Sequence, residues 1–180
     1  MDKPTFLKGE KIRFTPVDTD DLETYYEWFN RPDIRRNLLQ SRPITMEEER
    51  DFINNAIKSK DWAMFTVIDL ESDRLIGNIS LMRINPIDRT AELGIAIGDQ
   101  EYQGKGFGTE AVEMILEYGF NTLNLQRIWL GVHDFNERAQ KSYAKAGFIE
   151  EGRKRRAHFI DGEYSDEIIM SILDYEWRRR

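Results

Sequence analysis

Three glycines stand within five residues at Gln103-Gly104-Lys105-Gly106-Phe107-Gly108-Thr109, and what flanks them limits the fold more than any other stretch. Before them, Ala91 to Gly98 is apolar, with isoleucines at alternate positions. After them, Val112, Ile115, Leu116 and Phe120 recur at helical spacing. The segment therefore reads as strand, tight loop and helix. Glycine lets the main chain approach a ligand closely, and the first turn of a helix leaves N–H groups unpaired and carries partial positive charge. The physical reading is an anion cradle, with phosphate as the expected anion.

Spacing excludes rival glycine motifs. A dinucleotide fingerprint needs G-x-G-x-x-G, whereas the third glycine arrives one residue early here. No frame fits G-x-x-x-x-G-K-[ST]. Lys105-Gly106-Phe107-Gly108 begins like an RNA-recognition strand but continues Thr-Glu-Ala-Val into a helix. Taken alone, the loop reads equally well as a flexible surface turn.

The rest of the chain supplies strands and helices around this unit. Lys11 to Thr15 reads as a strand, and Asp18 to Asp21 opens a helix with Leu22, Tyr25, Tyr26, Trp28 and Phe29 on its apolar face. Asn30-Arg31-Pro32-Asp33 breaks it. Thr45 and Glu48 form a capping-box pattern before a helix with Phe52, Ile53, Ala56 and Ile57 inward. Trp62 to Leu70 and Arg74 to Ile84 are strands joined at Glu71-Ser72-Asp73, and Gln126 to His133 alternates as a strand. Asn136 can cap a further helix that Gly147 stops. Ile149 to Ile160 and Glu163 to Leu173 flank Asp161-Gly162, a two-residue hairpin signal. The order is β-α-α-β-β-β-α-β-α-β-β, a mixed α/β or α+β domain, expected to be single over residues 1–180.

Bulk properties narrow the chemistry. There are 33 acidic against 26 basic residues, a formal charge of −7 that disfavours direct nucleic-acid binding and favours amine-bearing partners. With no cysteine, neither a disulfide framework, a thiolate metal site nor a thiol nucleophile is available. No apolar run reaches the roughly 20 residues of a membrane helix, so a cytoplasmic protein without membrane partners is expected.

A second constellation lies downstream. Asn136 and Tyr143 are seven residues apart on nearly one helical face, about 10 Å along the axis. One could hold a cofactor while the other does chemistry, although a tyrosine beside Ala139 and Ala146 also suits a core.

With these two motifs in order, the chain resembles the Gcn5-related N-acetyltransferase (GNAT) family, in the branch of ribosomal-protein N-terminal and diamine or polyamine acetyltransferases. Gln103-Gly104-Lys105-Gly106-Phe107-Gly108 matches the Q/R-x-x-G-x-G/A motif, and Asn136-Glu137-Arg138-Ala139 through Tyr143 to Gly147-Phe148 matches the second signature. Trp28 to Asp33 is similar to the branch's early W-x-x-D/R-P segment, and Gly152-Arg153 onward to its closing hairpin. The resemblance implies a mostly antiparallel sheet of about seven strands flanked by helices, acetyl-CoA as cosubstrate, and no metal. It implies that the main chain of Ala96, Ile97 and Gly98 pairs with the pantetheine arm. By the same resemblance, Gln103, Gly104, Lys105, Gly106, Phe107, Gly108 and Thr109 wrap the pyrophosphate and Asn136 contacts the cofactor. Tyr143 would protonate the departing sulfur, and a homodimer is a possible assembly.

The acceptor is expected to be a primary amine, a protein N-terminus first and a polyamine or other small amine second, bound between Trp28 to Asp33 and the hairpin at Asp161. Glu92 is the candidate for receiving the amine's proton, with Asp134 behind it. His133 and His158 lack metal spacing. The reading from another class is a CoA-binding regulatory module that transfers nothing, against which the presence of both Asn136 and Tyr143 speaks.

Overall fold

The computed structural model describes residues 3–38 and 42–180. Its eight strands form one sheet in the order β1-β2-β3-β4-β5-β6-β8-β7. These are β1 (Leu7–Lys8), β2 (Ile12–Pro16), β3 (Ala63–Asp69), β4 (Leu75–Asn85), β5 (Thr90–Ile97), β6 (Arg127–His133), β7 (Ile149–Ile160) and β8 (Glu163–Leu173). The strand beyond the seven expected is the two-residue β1, which pairs Leu7 with Phe14. Every neighbouring pair is antiparallel except β5–β6.

The helices are α1 (Leu22–Asn30), α2 (Pro32–Arg35), α3 (Met46–Lys58), α4 (Phe107–Glu117), α5 (Glu137–Lys145) and α6 (Asp174–Trp177). Pro32 ends α1 as expected, but it then occupies the first position of the short α2, where a missing N–H costs nothing. Thr45 and Glu48 cap α3 reciprocally at 3.1 and 2.9 Å. Asp161 and Gly162, at φ 52° and 88°, make the tight β7–β8 turn.

Alternation along the strands divides the core in two. From β3, Phe65 and Val67 point to one face and pack with Ile115, Leu116 and Phe120 of the α4 segment. Met64 points to the other face and joins Tyr25, Trp28 and Phe29 of α1 and Ile53 of α3. Thr66, also on that face, accepts from the Tyr25 hydroxyl at 2.7 Å and donates to Asp21 at 2.9 Å, so α1 is tied to the sheet by a buried polar chain. Helices thus cover both faces, and α4 enters its layer directly from the glycine loop.

Candidate active site

The parallel β5–β6 pairing lasts only from Thr90↔Arg127 to Glu92↔Trp129. Beyond it, β5 runs on to Ile97 and β6 to His133 without meeting. A cavity of about 840 Å³ is lined by this part of β5, by Gly131 and Val132 of β6, and by the starts of α4 and α5.

Of the residues expected to bind cofactor, Ala96, Ile97, Gln103, Gly104, Gly106, Gly108, Thr109 and Asn136 line this cavity, and so do Tyr143 and Glu92. Gly98, Lys105 and Phe107 are not among its lining residues. The Gly98 N–H donates to the Ile76 carbonyl at 3.0 Å, and its own carbonyl accepts from Arg31 at 3.2 Å. Lys105 points to solvent, and Phe107 packs edge-on against Tyr102 with ring centroids 5.1 Å apart.

The loop geometry suits an anion. Gly104 and Gly106 have φ of 75° and 92°, left-handed values that favour glycine. A Cβ on Gly104 would meet nothing within 4 Å, and one on Gly106 only the Lys11 Nζ at 3.8 Å, so both face open space. Gly106 caps α4, whose first N–H groups border that space. The side chain of Gln103 works differently from a simple ligand: it donates to the Ile97 carbonyl at 2.9 Å and accepts from Arg138 at 2.9 Å, fastening the loop to β5 and α5. Thr109 and Ser142 join α4 to α5 through their hydroxyls at 2.8 Å. These residues fit a phosphate-bearing cosubstrate.

Gly108 allows a clean test, because its φ is not left-handed and a Cβ there would meet only Ile97 Cγ1 at an ordinary 3.6 Å. Gly108→Val should therefore fold normally yet narrow the cradle. We expect CoA affinity to fall about 10-fold, roughly 1.4 kcal/mol, with Tm unchanged. Calorimetry showing wild-type affinity would remove the loop from the binding site.

Tyr143 is half-buried, its ring 5.8 Å from that of Phe148. Its hydroxyl has no hydrogen-bond partner among the described residues, and burial pushes its pKa up to about 12. Asn136 caps α5 by accepting from the Ala139 N–H at 3.2 Å, which leaves its amide N–H₂ for the cavity. Glu92 is paired with Arg83 at 2.6 Å, its side chain 15% exposed against 75% for the arginine. Asp134 does not line this cavity and accepts from Ser165 at 2.8 Å.

The two segments expected to hold the acceptor do not both line this cavity. Trp28 is buried behind the wall, while Phe29, Ile34 and Leu38 line it. Asp161 pairs with Arg36 at 3.4 Å, and Arg36 lines a separate cavity of about 270 Å³. The residue that sequence reasoning missed is Glu49. It lines the main cavity, is 3% exposed, and its Oε1 has no hydrogen-bond partner among the described residues. Burial pushes its pKa up to about 7. The signal was present: Glu49 shares the inward face of α3 with Ile53 and Ala56, at i, i+4 and i+7, although it stands among three acidic residues that read as a solvated first turn.

Among the described residues no group of three or more metal-ligating side chains stands together, and no helix is long and apolar enough to cross a membrane.

Residues 11–149 match the family model described as an acetyltransferase (GNAT) domain. The spermidine N(1)-acetyltransferase of Vibrio cholerae is 33% identical over 172 residues, covering 96% of this chain and 98% of that protein. That of Escherichia coli K12 is 31% identical over 169 residues, covering 94% and 89%. The crystal structure of the Vibrio cholerae spermidine N-acetyltransferase in complex with CoA and spermine superposes with a TM-score of 0.87 at 31% identity, covering 94% of this chain and 99% of that one.

Proposed function

Because the chain belongs to the acetyltransferase (GNAT) domain family and is an acetyl-CoA-dependent N-acetyltransferase, we propose that its acceptor is a polyamine whose cationic stem lies against Glu49. The observation that carries this reading is the buried Glu49 carboxylate on the cavity wall, one oxygen of which has no partner among the described residues. A carboxylate so placed is costly to leave unpaired and is satisfied by an ammonium group. A peptide α-amine, the first choice from sequence, offers one cationic centre at its reacting end and nothing for a second carboxylate. The similarity to two spermidine acetyltransferases over nearly the whole chain supports the same choice.

The reaction follows from what the chain contains. Without cysteine there is no thiol to carry the acetyl group, so the amine nitrogen attacks the thioester carbonyl directly, the C–S bond breaks, and the nitrogen loses one proton. A primary amine of pKa about 10.4 costs roughly 4.6 kcal/mol to deprotonate at pH 7. We assign the acceptance of the ammonium's first proton to Glu92, which lines the cavity where β5 parts from β6, and the second, shed on attack, passes to the departing sulfur. Tyr143 is assigned as the hydrogen-bond donor to the departing sulfur, and the glycine loop as the holder of the pyrophosphate. Thioester reactivity is what the cosubstrate supplies; the protein orients it and handles the protons.

Replacing Glu49 with glutamine tests the acceptor. We expect KM for spermidine to rise about 10- to 30-fold, near 1.4–2 kcal/mol, with KM for acetyl-CoA unchanged. The pH dependence supplies a second signature. A carboxyl with pKa near 7 is ionised only above that value, so polyamine binding to wild type should weaken as pH falls through 7, and that limb should be absent in Glu49→Gln. Stability should move the opposite way. A buried carboxyl whose pKa is raised makes the fold less stable as pH rises from its unfolded value, about 4.3, to about 7, so the glutamine variant should gain Tm at pH 8 and not at pH 4. An unchanged KM for the best amine in a panel of polyamines and peptides would overturn the assignment.

A further inference from the structure

His133 ends β6 just beyond Gly131 and Val132, which line the main cavity, and is itself 1% exposed. A buried imidazole is costly unless its ring nitrogens find partners. Here Nε2 lies 3.3 Å from the Leu38 carbonyl and Nδ1 lies 3.3 Å from the Ser165 hydroxyl. The ring plane is fixed as well. Phe135 stacks on it with centroids 4.9 Å apart and 9° between the planes, and His158 meets it edge-on at 4.9 Å. Burial pushes the His133 pKa below the ordinary 6.5, so at working pH the ring is neutral and carries one N–H. A main-chain carbonyl can only accept, which puts that hydrogen on Nε2. Nδ1 is then an acceptor facing the Ser165 hydroxyl, which is shared with the Asp134 carboxylate at 2.8 Å.

Leu38 lies in the turn that follows α2 and lines the acceptor side of the cavity with Phe29 and Ile34. It also packs against the α1–α3 core. Further along, Ile44 returns to the same wall, where Asn30 holds its main chain by two bonds of 3.0 Å. The Leu38 end is held differently. Arg36 meets Asp161 at 3.4 Å, but both side chains are 60% exposed, and such a pair contributes little by itself. Among the described residues, the hydrogen bond that ties this end to a strand is the one from His133. We propose that His133 is a positioning residue for the acceptor, a latch whose Nε2–H holds the Leu38 carbonyl and so fixes the apolar wall along which the amine's methylene stem lies. It sets KM for the amine without touching the reacting atoms. The assignment rests on the acceptor reading for which wall of the cavity meets the amine, and adds to it what keeps that wall in place.

Two variants and one spectrum test it. His133→Leu removes the donor while keeping most of the buried volume, whereas His133→Gln keeps an amide N–H₂ that can reach the same carbonyl. Kinetics are run with spermidine, or with whichever amine wild type acetylates best. KM for that amine is expected to rise about 10-fold in the leucine variant and to stay within about threefold of wild type in the glutamine variant. KM for acetyl-CoA and kcat should stay within about twofold in both. A residue that merely fills the core would instead disturb both KM values together. Nitrogen NMR of the imidazoles gives a readout independent of catalysis and of the leucine variant's folding. The chain has two histidines, so the signals missing from His133→Gln identify His133, and in wild type they should report the Nε2–H form. An Nδ1–H ring, an unchanged KM for the amine in the leucine variant, a glutamine variant as impaired as the leucine one, or an equal rise in both KM values would overturn the latch. Spermidine failing as a substrate while another amine shows the expected pattern would overturn the polyamine acceptor and support the latch.

Discussion

Replacing Tyr143 with phenylalanine is expected to lower kcat by about 10²- to 10⁴-fold while CoA affinity stays within about twofold. Tyr143 lines the cavity, its hydroxyl has no partner among the described residues, and the ring's neighbours, including Phe148 at 5.8 Å, are unaffected by its loss. Packing should therefore survive, and Tm should hold or rise slightly. Burial raises the Tyr143 pKa to about 12, so the phenol keeps its proton throughout the working range. Against a thiol near 8.5, complete transfer to the sulfur would be uphill by roughly 5 kcal/mol. The phenol thus serves by donating a hydrogen bond as negative charge grows on the sulfur, and the proton shed by the amine closes the balance. Consequently no loss of activity attributable to Tyr143 ionisation is expected below about pH 10. Steady-state kinetics across pH, with binding measured separately, check this. A drop below about threefold would leave Tyr143 as a packing residue and make water the hydrogen-bond donor to the sulfur.

Most of the architecture was legible because periodicity and capping agreed with each other along the chain. The Thr45–Glu48 box, the Asn136 cap and the Asp161-Gly162 turn all lie where local chemistry placed them. Strand order was less legible, since alternation reports which face is buried and not which strand lies alongside. The brevity of the β5–β6 pairing, which separates the two motifs at a cavity, leaves no mark on local sequence. At the site, the glycines were readable from φ requirements and open space, and the seven-residue interval between Asn136 and Tyr143 from helix geometry. Glu49 was not, because an acidic residue in a first helical turn already has a sufficient electrostatic reason to be there. The role proposed for it depends on α3 turning that face toward the cavity, a tertiary fact. Gln103 shows a different limit. Its residue type fitted a cofactor contact, yet its amide bridges Ile97 and Arg138, a role that depends on strand and helix meeting at the loop.

Gly98 carries the same lesson to a measurable outcome. Sequence grouped it with Ala96 and Ile97 as a place where the main chain approaches the pantetheine arm, and a glycine there suits that role. In the fold, a Cβ on Gly98 would lie 2.0 Å from Trp28 Cε3 and 2.1 Å from Cδ2, well inside contact distance. Trp28 cannot easily yield. It is buried against Tyr25, with ring centroids 6.1 Å apart. The end of α1 is also held, because Asn30 exchanges hydrogen bonds with the main chain of Ile44 at 3.0 Å in each direction. Gly98→Ala is therefore expected to destabilise the protein by about 3 kcal/mol, at the upper end for overpacking, and to lower Tm by roughly 6–12 °C. Since Phe29 and Ile34 line the acceptor side of the cavity, displacement of α1 should also raise KM for the amine more than KM for acetyl-CoA. The two accounts separate cleanly by calorimetry and kinetics on the same variant. If the glycine is there for cofactor approach, Gly98→Ala keeps its Tm and loses CoA affinity; if it is there to seat Trp28, the fold loosens while CoA affinity is largely kept.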